Sequence, residues 1–277
     1  MSRTPATKAR QQVESLSEGG ALKRGLTILE VLVEAARPLT SHEIAETVQL
    51  TDSTVHRLLQ TLLEAGYVSR DATNKRYHAS ARTLGPLTIY HPLHSLRRDA
   101  FEPLRVLREQ SGLTASIVVF VGIERLVLDV SGASGVLTPF YETCLQNPLH
   151  VAVSGKLLLI PMSADERKGL LGEGPYEALT TKTITDPGDF ERELRTVAAQ
   201  GFATNIDENF VGLSAIGAPL TCGIEQTIGC VMLAGATERF TPAGILEMGN
   251  NLRDMARLIS FSPVARAIGN MFSRKSR

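Results

Sequence analysis

No run of apolar residues in this sequence approaches the ~18 that a membrane-spanning helix needs. The opening MSRTPATKARQQ has no apolar stretch of the kind a secretory leader carries. Cysteine is scarce: Cys144, Cys222 and Cys230 are odd in number and stand at no metal-binding or redox spacing. These absences argue against a membrane protein and a disulfide framework, and point to a reduced, cytoplasmic chain with mostly buried thiols. Net charge is also missing, with 29 basic against 29 acidic residues. That balance hides an asymmetry. Residues 1–97 carry 12 Lys/Arg against 9 Asp/Glu, and the remainder 17 against 20. A slightly basic amino-terminal part on an acidic remainder is compatible with nucleic-acid binding at one end.

Catalytic patterns are missing too. GLSAIG (212–217) falls short of a nucleophile elbow because Ile216 stands where the final glycine belongs. VAVSGKL (151–157) ends in Gly-Lys, but it has no upstream glycine at phosphate-loop spacing, and Leu157 replaces the hydroxyl residue. No paired carboxylates or metal-ligand set stands out. His91 and His94 flank Pro92 without an acidic or cysteine partner and read as turn residues. The expectation is a protein that is not an enzyme and holds no metal or cofactor.

What is present suits two domains: 277 residues, 43% of them hydrophobic. Residues 1–20 are polar, contain Pro5, Gly19 and Gly20, and read as a disordered arm. From there Leu22, Leu26, Leu29, Leu32, Val33 and Ala36 fall on one helical stripe that Pro38 ends. TSHE (40–43) is a capping box opening a short helix with Ile44, Ala45 and Val48 inward. After the turn QLT, Thr51 caps a helix that runs to Ala65 and stops at Gly66. Its inner face is Val55, Leu58, Leu59 and Leu62. Its outer face is Ser53, Thr54, His56, Arg57 and Gln60, where a merely solvated face would be richer in Lys and Glu. YVSRD (67–71) and RYHAS (76–80) read as a hairpin with Arg70, Lys75 and Arg76 near its tip. The order is that of a winged helix-turn-helix. Small hydroxyl residues at a helix start allow close approach to phosphates and base edges, and Arg57 can fork onto guanine or phosphate. The basic wing suits phosphate contacts that position a protein without reading sequence. The plainer alternative makes Ser53 and Thr54 caps and pairs Arg57 with Glu64 or a neighbouring domain.

The run LKRGLTILEVL…LTSHEIAETVQLTDSTVHRLLQTLLEAGYVSRD…RYHAS resembles the DNA-binding domain of the IclR family of bacterial transcription regulators. The resemblance continues over about residues 21–260, with STVHRLLQTL…GYV its most distinctive part. One departure is Asp52, where relatives commonly carry a non-acidic residue. Its carboxylate repels phosphates, accepts from cytosine N4, or simply favours the helix N-terminus. The DNA-binding set is therefore Thr51, Asp52, Ser53, Thr54, His56, Arg57, Gln60, Arg70, Lys75 and Arg76.

Further along, 82–97 reads as a linker helix region interrupted by Pro86 and Pro92, leading into a helix with Phe101, Leu104 and Leu107 inward. The resemblance implies that this connector helps two copies dimerise. TASIVVFVG, ERLVLDVSG, VLTPFYE, FATNID, GLSAIGAPLT and TIGCVMLAGA read as strands. Helices are expected at about 151–162, 163–171, 187–200 and 241–260, the last with Ile245, Met248, Leu252, Met255 and Ile259 inward. Paired strands between helices give an α/β fold of the α+β kind. The resemblance implies a GAF-like effector-binding domain over 98–262, after a DNA-binding domain at 21–81 and before a basic tail at 263–277.

The same resemblance implies an effector site. The backbone N–H groups of Val153 and Ser154 would offer an anion site. Asn205, Ala215, Met232 and Ala234 stand where relatives that bind small polar acids place an acid, a cysteine and two serines. Each lost hydrogen bond to a charged carboxylate forfeits about 1.5–3 kcal/mol. The expected effector is accordingly a larger, more apolar carboxylate, aromatic or alkyl, held by the helix amides and Asn205, with Val136, Phe140 and Met232 along the remainder. Operator DNA, an organic-acid effector and further copies of the chain are the expected partners, with repression favoured over activation. Two rivals remain: an architectural DNA binder with no ligand response, and an enzyme built on the second domain.

Overall fold

The computed structural model describes residues 20–35, 37–71, 73–84, 91–132, 144–223 and 226–272. Most of the expected arm, the expected strand around 136–142 with Val136 and Phe140, and the last five residues lie outside them. The chain divides into two compact units, 1–88 and 89–277.

In the first unit, helices α1 (Ala21–Glu34), α2 (Ser41–Val48) and α3 (Asp52–Glu64) precede a hairpin of β1 (Val68–Arg70) and β2 (Tyr77–Ala79). Its register pairs Val68 with Ala79 and Arg70 with Tyr77. Leu39 adds a short third edge through a two-way backbone pair with Tyr77. The capping box at Thr40 forms in full: the Glu43 backbone N–H donates to Thr40 Oγ1, and Glu43 Oε2 accepts from the Thr40 backbone at 2.7 Å. Gln49, left-handed at φ 51°, ends α2 and makes the turn tight. The core is Ile28, Leu32, Ile44, Val48, Val55, Leu58, Leu59, Val68 and Tyr77.

One expectation holds only in part. Of the expected stripe Leu32 is buried and Leu29 packs against the core, but Leu22, Leu26 and Val33 are exposed, and Ile28, outside the stripe, is fully buried. The helix carries two apolar stripes, and periodicity alone does not say which one meets α2 and α3.

In the second unit, α4 (Pro92–Ser111) leads into β3 (Thr114–Val121) and β4 (Glu124–Ser131). Then come α5 (Val153–Leu159), α6 (Ala164–Leu171) and α7 (Pro187–Gln200). After β5 (Ala203–Phe210), β6 (Leu213–Cys222) and β7 (Gln226–Ala236), helices α8 (Pro242–Ser260) and α9 (Pro263–Phe272) close the unit. The strands form one antiparallel sheet in the order β4-β3-β7-β6-β5.

Strand alternation divides the core in two. Ala115, Ile117 and Val119 of β3, with Val231 and Leu233 of β7, face α4, α8 and α9. Val118, Phe120, Cys230, Met232 and Ala234 face α5 and α7. This mixed α/β domain, with the helix-turn-helix and wing before it, is the fold class expected from the sequence.

Two segments read differently in space. Residues 92–97 do not stand apart as a linker, because Leu93 and Leu96 are buried in the second unit's core with Ala100, Leu104 and Leu107. Phe101, expected inward, is 63% exposed. The segment taken for a basic tail is a packed helix as far as Phe272, with Ala265 and Ile268 buried. Gly269 lies close enough to Cys222 and Gln226 that a Cβ there would clash. Among the described residues no helix is long and apolar enough to cross a membrane.

Candidate functional site

The outer face of α3 is built as its sequence suggests. Thr51 caps it, its Oγ1 accepting from the Thr54 backbone N–H at 3.4 Å and lying 3.2 Å from the Ser53 hydroxyl. Asp52, Ser53, His56 and Arg57 are exposed, while Thr54 and Gln60 are half-buried beside the buried Val55, Leu58 and Leu59. Among the described residues Arg57 makes no ion pair, with Glu64 or any other. Asp52 faces His42 across the turn, Oδ1 to Nδ1 3.4 Å.

The wing tip is held by Asp71, whose Oδ1 accepts from the Thr73 backbone N–H and hydroxyl, both at 2.7 Å. Those two bonds lower its pKa below the ordinary carboxylate value. Lys75 sits in the left-handed region at φ 57° and is exposed. Arg70 lies over the Tyr77 ring, 5.3 Å from its centroid.

Arg76 departs from the DNA-facing role expected of it. Its Nη1 donates to Pro38 O at 3.1 Å and to Glu43 Oε2 at 3.0 Å, so it ties the hairpin to the start of α2. Glu43 also takes Arg37 at 3.0 Å. Nothing local in the chain signals this pair, because Arg76 and Glu43 are 33 residues apart.

In the second unit Val153, Ser154, Asn205, Ala215 and Met232 do come together. They line a small cavity of about 20 Å³, partly open to solvent, with Leu145, Asn147 and Asn209. Ala234 lines a second, smaller cavity of about 10 Å³ with Thr114, Ser116 and Val127. Leu145 and Met232 belong to both walls. Two buried side-chain atoms in these walls have no partner: Asn147 Oδ1 in the first and Thr114 Oγ1 in the second.

Asn205 lines the cavity, yet its amide is already engaged. Nδ2 donates to Val151 O at 2.7 Å and Oδ1 accepts from the Glu208 backbone at 2.9 Å. That pairing conflicts with its expected grip on a ligand carboxylate and makes it a brace between β5 and the start of α5. The α5 helix is short, two turns wholly buried, and Leu149 lies against Gly155 so closely that a Cβ there would meet Leu149 O at 2.1 Å.

Sequence reading missed the charged groups behind these walls. Lys156 is fully buried, and its Nζ donates to Glu208 at 2.7 Å, Thr204 O at 2.8 Å and Glu193 at 3.1 Å. Arg125, only 4% exposed, donates to Ser154 Oγ at 3.3 Å, to Leu145 O at 3.0 Å and to Asn147 O. Burial lowers its pKa to about 10. Burial likewise raises that of Glu208 and keeps His150, bonded to Glu177 O, below its ordinary value. Among the described residues no cluster of His, Cys, Asp and Glu is arranged to hold a metal ion.

Comparison with known proteins covers both units. Residues 21–72 match the family model described as the IclR helix-turn-helix domain, and 90–261 match the bacterial transcriptional regulator IclR C-terminal domain. The glycerol operon regulatory protein of Streptomyces coelicolor is 30% identical over 246 residues, 87% of this chain and 94% of that one. The transcriptional repressor AllR of Klebsiella pneumoniae is 26% identical over 255 residues, 90% and 92% of the two chains. A crystal structure of an IclR homolog from Microbacterium hydrocarbonoxydans complexed with 4-hydroxybenzoate superposes with a TM-score of 0.75, covering 90% of this chain and all of that one. At 19% identity that likeness is one of fold.

Proposed function

The chain belongs to the IclR family of bacterial transcriptional regulators, and we propose that it is a repressor whose hold on a pseudo-palindromic operator is set by an organic acid. It is a regulator and not an enzyme. The observation that carries the DNA reading is the face of α3: Ser53, His56 and Arg57 are exposed, and Arg57 has no ion pair among the described residues, directly over a well-packed inner face. In this reading the first turn of α3 from Thr51 to Thr54, with His56, Arg57 and Gln60, meets base edges and phosphates. Arg70 and Lys75 meet phosphate from the wing, while Arg76 holds the wing in place. Asp52 sits beside the groove, and its pairing distance to His42 supports the plainer role of ordering the turn. Repression follows the named activity of the Klebsiella relative.

The effector reading rests on the paired cavities. An acid group in the first, near Val153 and Ser154, and an apolar body reaching past Met232 toward Ala234 would use both once they widen, since each now has room for little more than a water. An aromatic acid in a protein of the same fold supports that class. Two recognition helices on one operator require at least two copies of the chain. The exposed Leu22, Leu26 and Val33 on one side of α1 are candidates for a surface between them.

Selecting genomic fragments on the purified protein at about physiological salt, where non-specific binding is weak, tests the reading. Enrichment of a palindrome by wild type and its loss with Arg57→Ala supports it. Equal retention of all fragments, indifferent to acids, would establish the architectural alternative.

A further inference from the structure

We propose that Arg125 is the charge that makes the effector cavity selective for an acid. The assignment rests on the effector reading above and adds to it the residue that discriminates. Among the described residues two buried cations, Lys156 and Arg125, lie in the second unit, and they differ in one respect. Lys156 has two carboxylates within 3.1 Å, Glu208 and Glu193. Among the described residues Arg125 has none: all its acceptors are neutral oxygens, and no ion pair engages it. A guanidinium at 4% exposure without a counter-ion loses much of its hydration, and neutral acceptors restore only part of it. Cys230 is not the missing anion, since burial raises its thiol pKa far above neutrality.

The three acceptors point to where the counter-ion belongs. Leu145, Asn147 and Ser154 all line the first cavity, so the charge lies one layer behind its wall. None of the described residues lining that cavity is charged. An anion there meets one uncompensated positive charge at close range through a medium of low polarity. Ser154 transmits the preference: its Oγ accepts from Arg125, which leaves its own proton free to be donated into the cavity. Asn147 supplies an independent sign. Its Oδ1 is buried, without a partner, in the same wall. A side-chain amide turned half a revolution presents its N–H₂ instead, so this position can also donate to a carboxylate. The first cavity thus holds two donors and a background charge, and takes the carboxylate end of a ligand. Arg125 is a positioning and selecting residue that acts through Ser154.

The test compares acids with amides of the same shape. Wild type, Arg125→Gln and Arg125→Lys, all full-length, are titrated with benzoate against benzamide and with hexanoate against hexanamide, followed by calorimetry and thermal shift. Wild type should prefer each acid by about tenfold or more, the scale of one hydrogen bond to a charged group. Arg125→Gln should erase that preference while leaving amide affinity within about threefold, and Arg125→Lys should keep part of it. Wild type taking amides as well as acids overturns the role of Arg125 and leaves the cavity reading standing. No shift with any probe overturns both. A lower melting temperature in Arg125→Gln with the acid preference intact makes Arg125 a structural tie between β4 and residues 145–147, and overturns the proposal.

Discussion

Glu43 joins three parts of the first unit, accepting from the Thr40 backbone, Arg37 and Arg76. The Thr40 backbone bond and then the Arg37 pair lower its pKa from 4.5 to about 2. A carboxylate whose pKa falls on folding stabilises the fold above its unfolded value, and that contribution is lost as pH drops through the folded value. Glu43→Gln should therefore melt below wild type near neutrality, and the gap should close as pH falls from 4.5 toward about 2. A gap that persists unchanged at the acid end would show that the charge contributes nothing. The same pairing separates two arginines of similar sequence appearance. Arg57→Ala should weaken operator binding and lower the salt slope by about 1 if the contact is to phosphate, or cost about 1–3 kcal/mol with relaxed specificity if it is to a base. Arg76→Ala should leave the salt slope alone and lower the melting temperature of the first unit, because its fork serves Pro38 and Glu43. Fluorescence anisotropy over a salt series with parallel calorimetry distinguishes them.

Among the elements, α5 depends on a position that admits only glycine. A Cβ at Gly155 would meet Leu149 O at 2.1 Å and the Leu149 Cα at 2.6 Å, and backbone on a short buried helix has nowhere to retreat. Gly155→Ala should cost several kcal/mol, at or above the ~1–3 typical of overpacking, and abolish acid binding. Calorimetry of the variant checks it, and a wild-type melting temperature would show that the segment before α5 yields. Elements of this kind also show where sequence suffices. The alternation in β3 and β7 assigns each residue to a sheet face directly, since a period of two leaves one arrangement. The capping signals at Thr40 and Thr51 placed two helix starts, because a cap acts on residues beside it in the chain. On α1 the expected stripe was right at Leu29 and Leu32 and wrong at Leu22, Leu26 and Val33, and on α4 it put Phe101 inward because the residues that cover this helix come from distant segments. Val153, Ser154 and Met232 were legible through the resemblance. Arg125 was not, since nothing local separates a strand residue facing solvent from one turned into a wall. Asn205 was placed correctly and given a role that its pairing to Val151 O and Glu208 already fills.

At the level of the whole molecule, regulation requires that the acid bind the operator-competent and operator-free forms with different strength. Coupling of this kind is reciprocal: a factor by which the acid weakens operator binding is the factor by which operator weakens acid binding. The size of the effect is open to a direct check, because both halves use the full chain. Benzoate titrated into free protein and into protein saturated with its operator should give dissociation constants in a ratio of about 5–150. Operator titrated with and without saturating benzoate should return the same ratio. Met232, shared by the two cavities, is the place to adjust it. Met232→Ala joins the cavities and should favour acids with longer apolar bodies in both measurements, leaving Arg57-dependent binding of the ligand-free protein unchanged. Equal acid affinity with and without operator would mean that ligand occupancy and DNA binding are independent, whatever the acid does to thermal stability. Unequal ratios in the two directions would instead reveal a further equilibrium, such as a change in the number of copies assembled. Sedimentation of wild type beside Leu26→Glu, whose position on α1 is 51% exposed, identifies that case by a shift in mass.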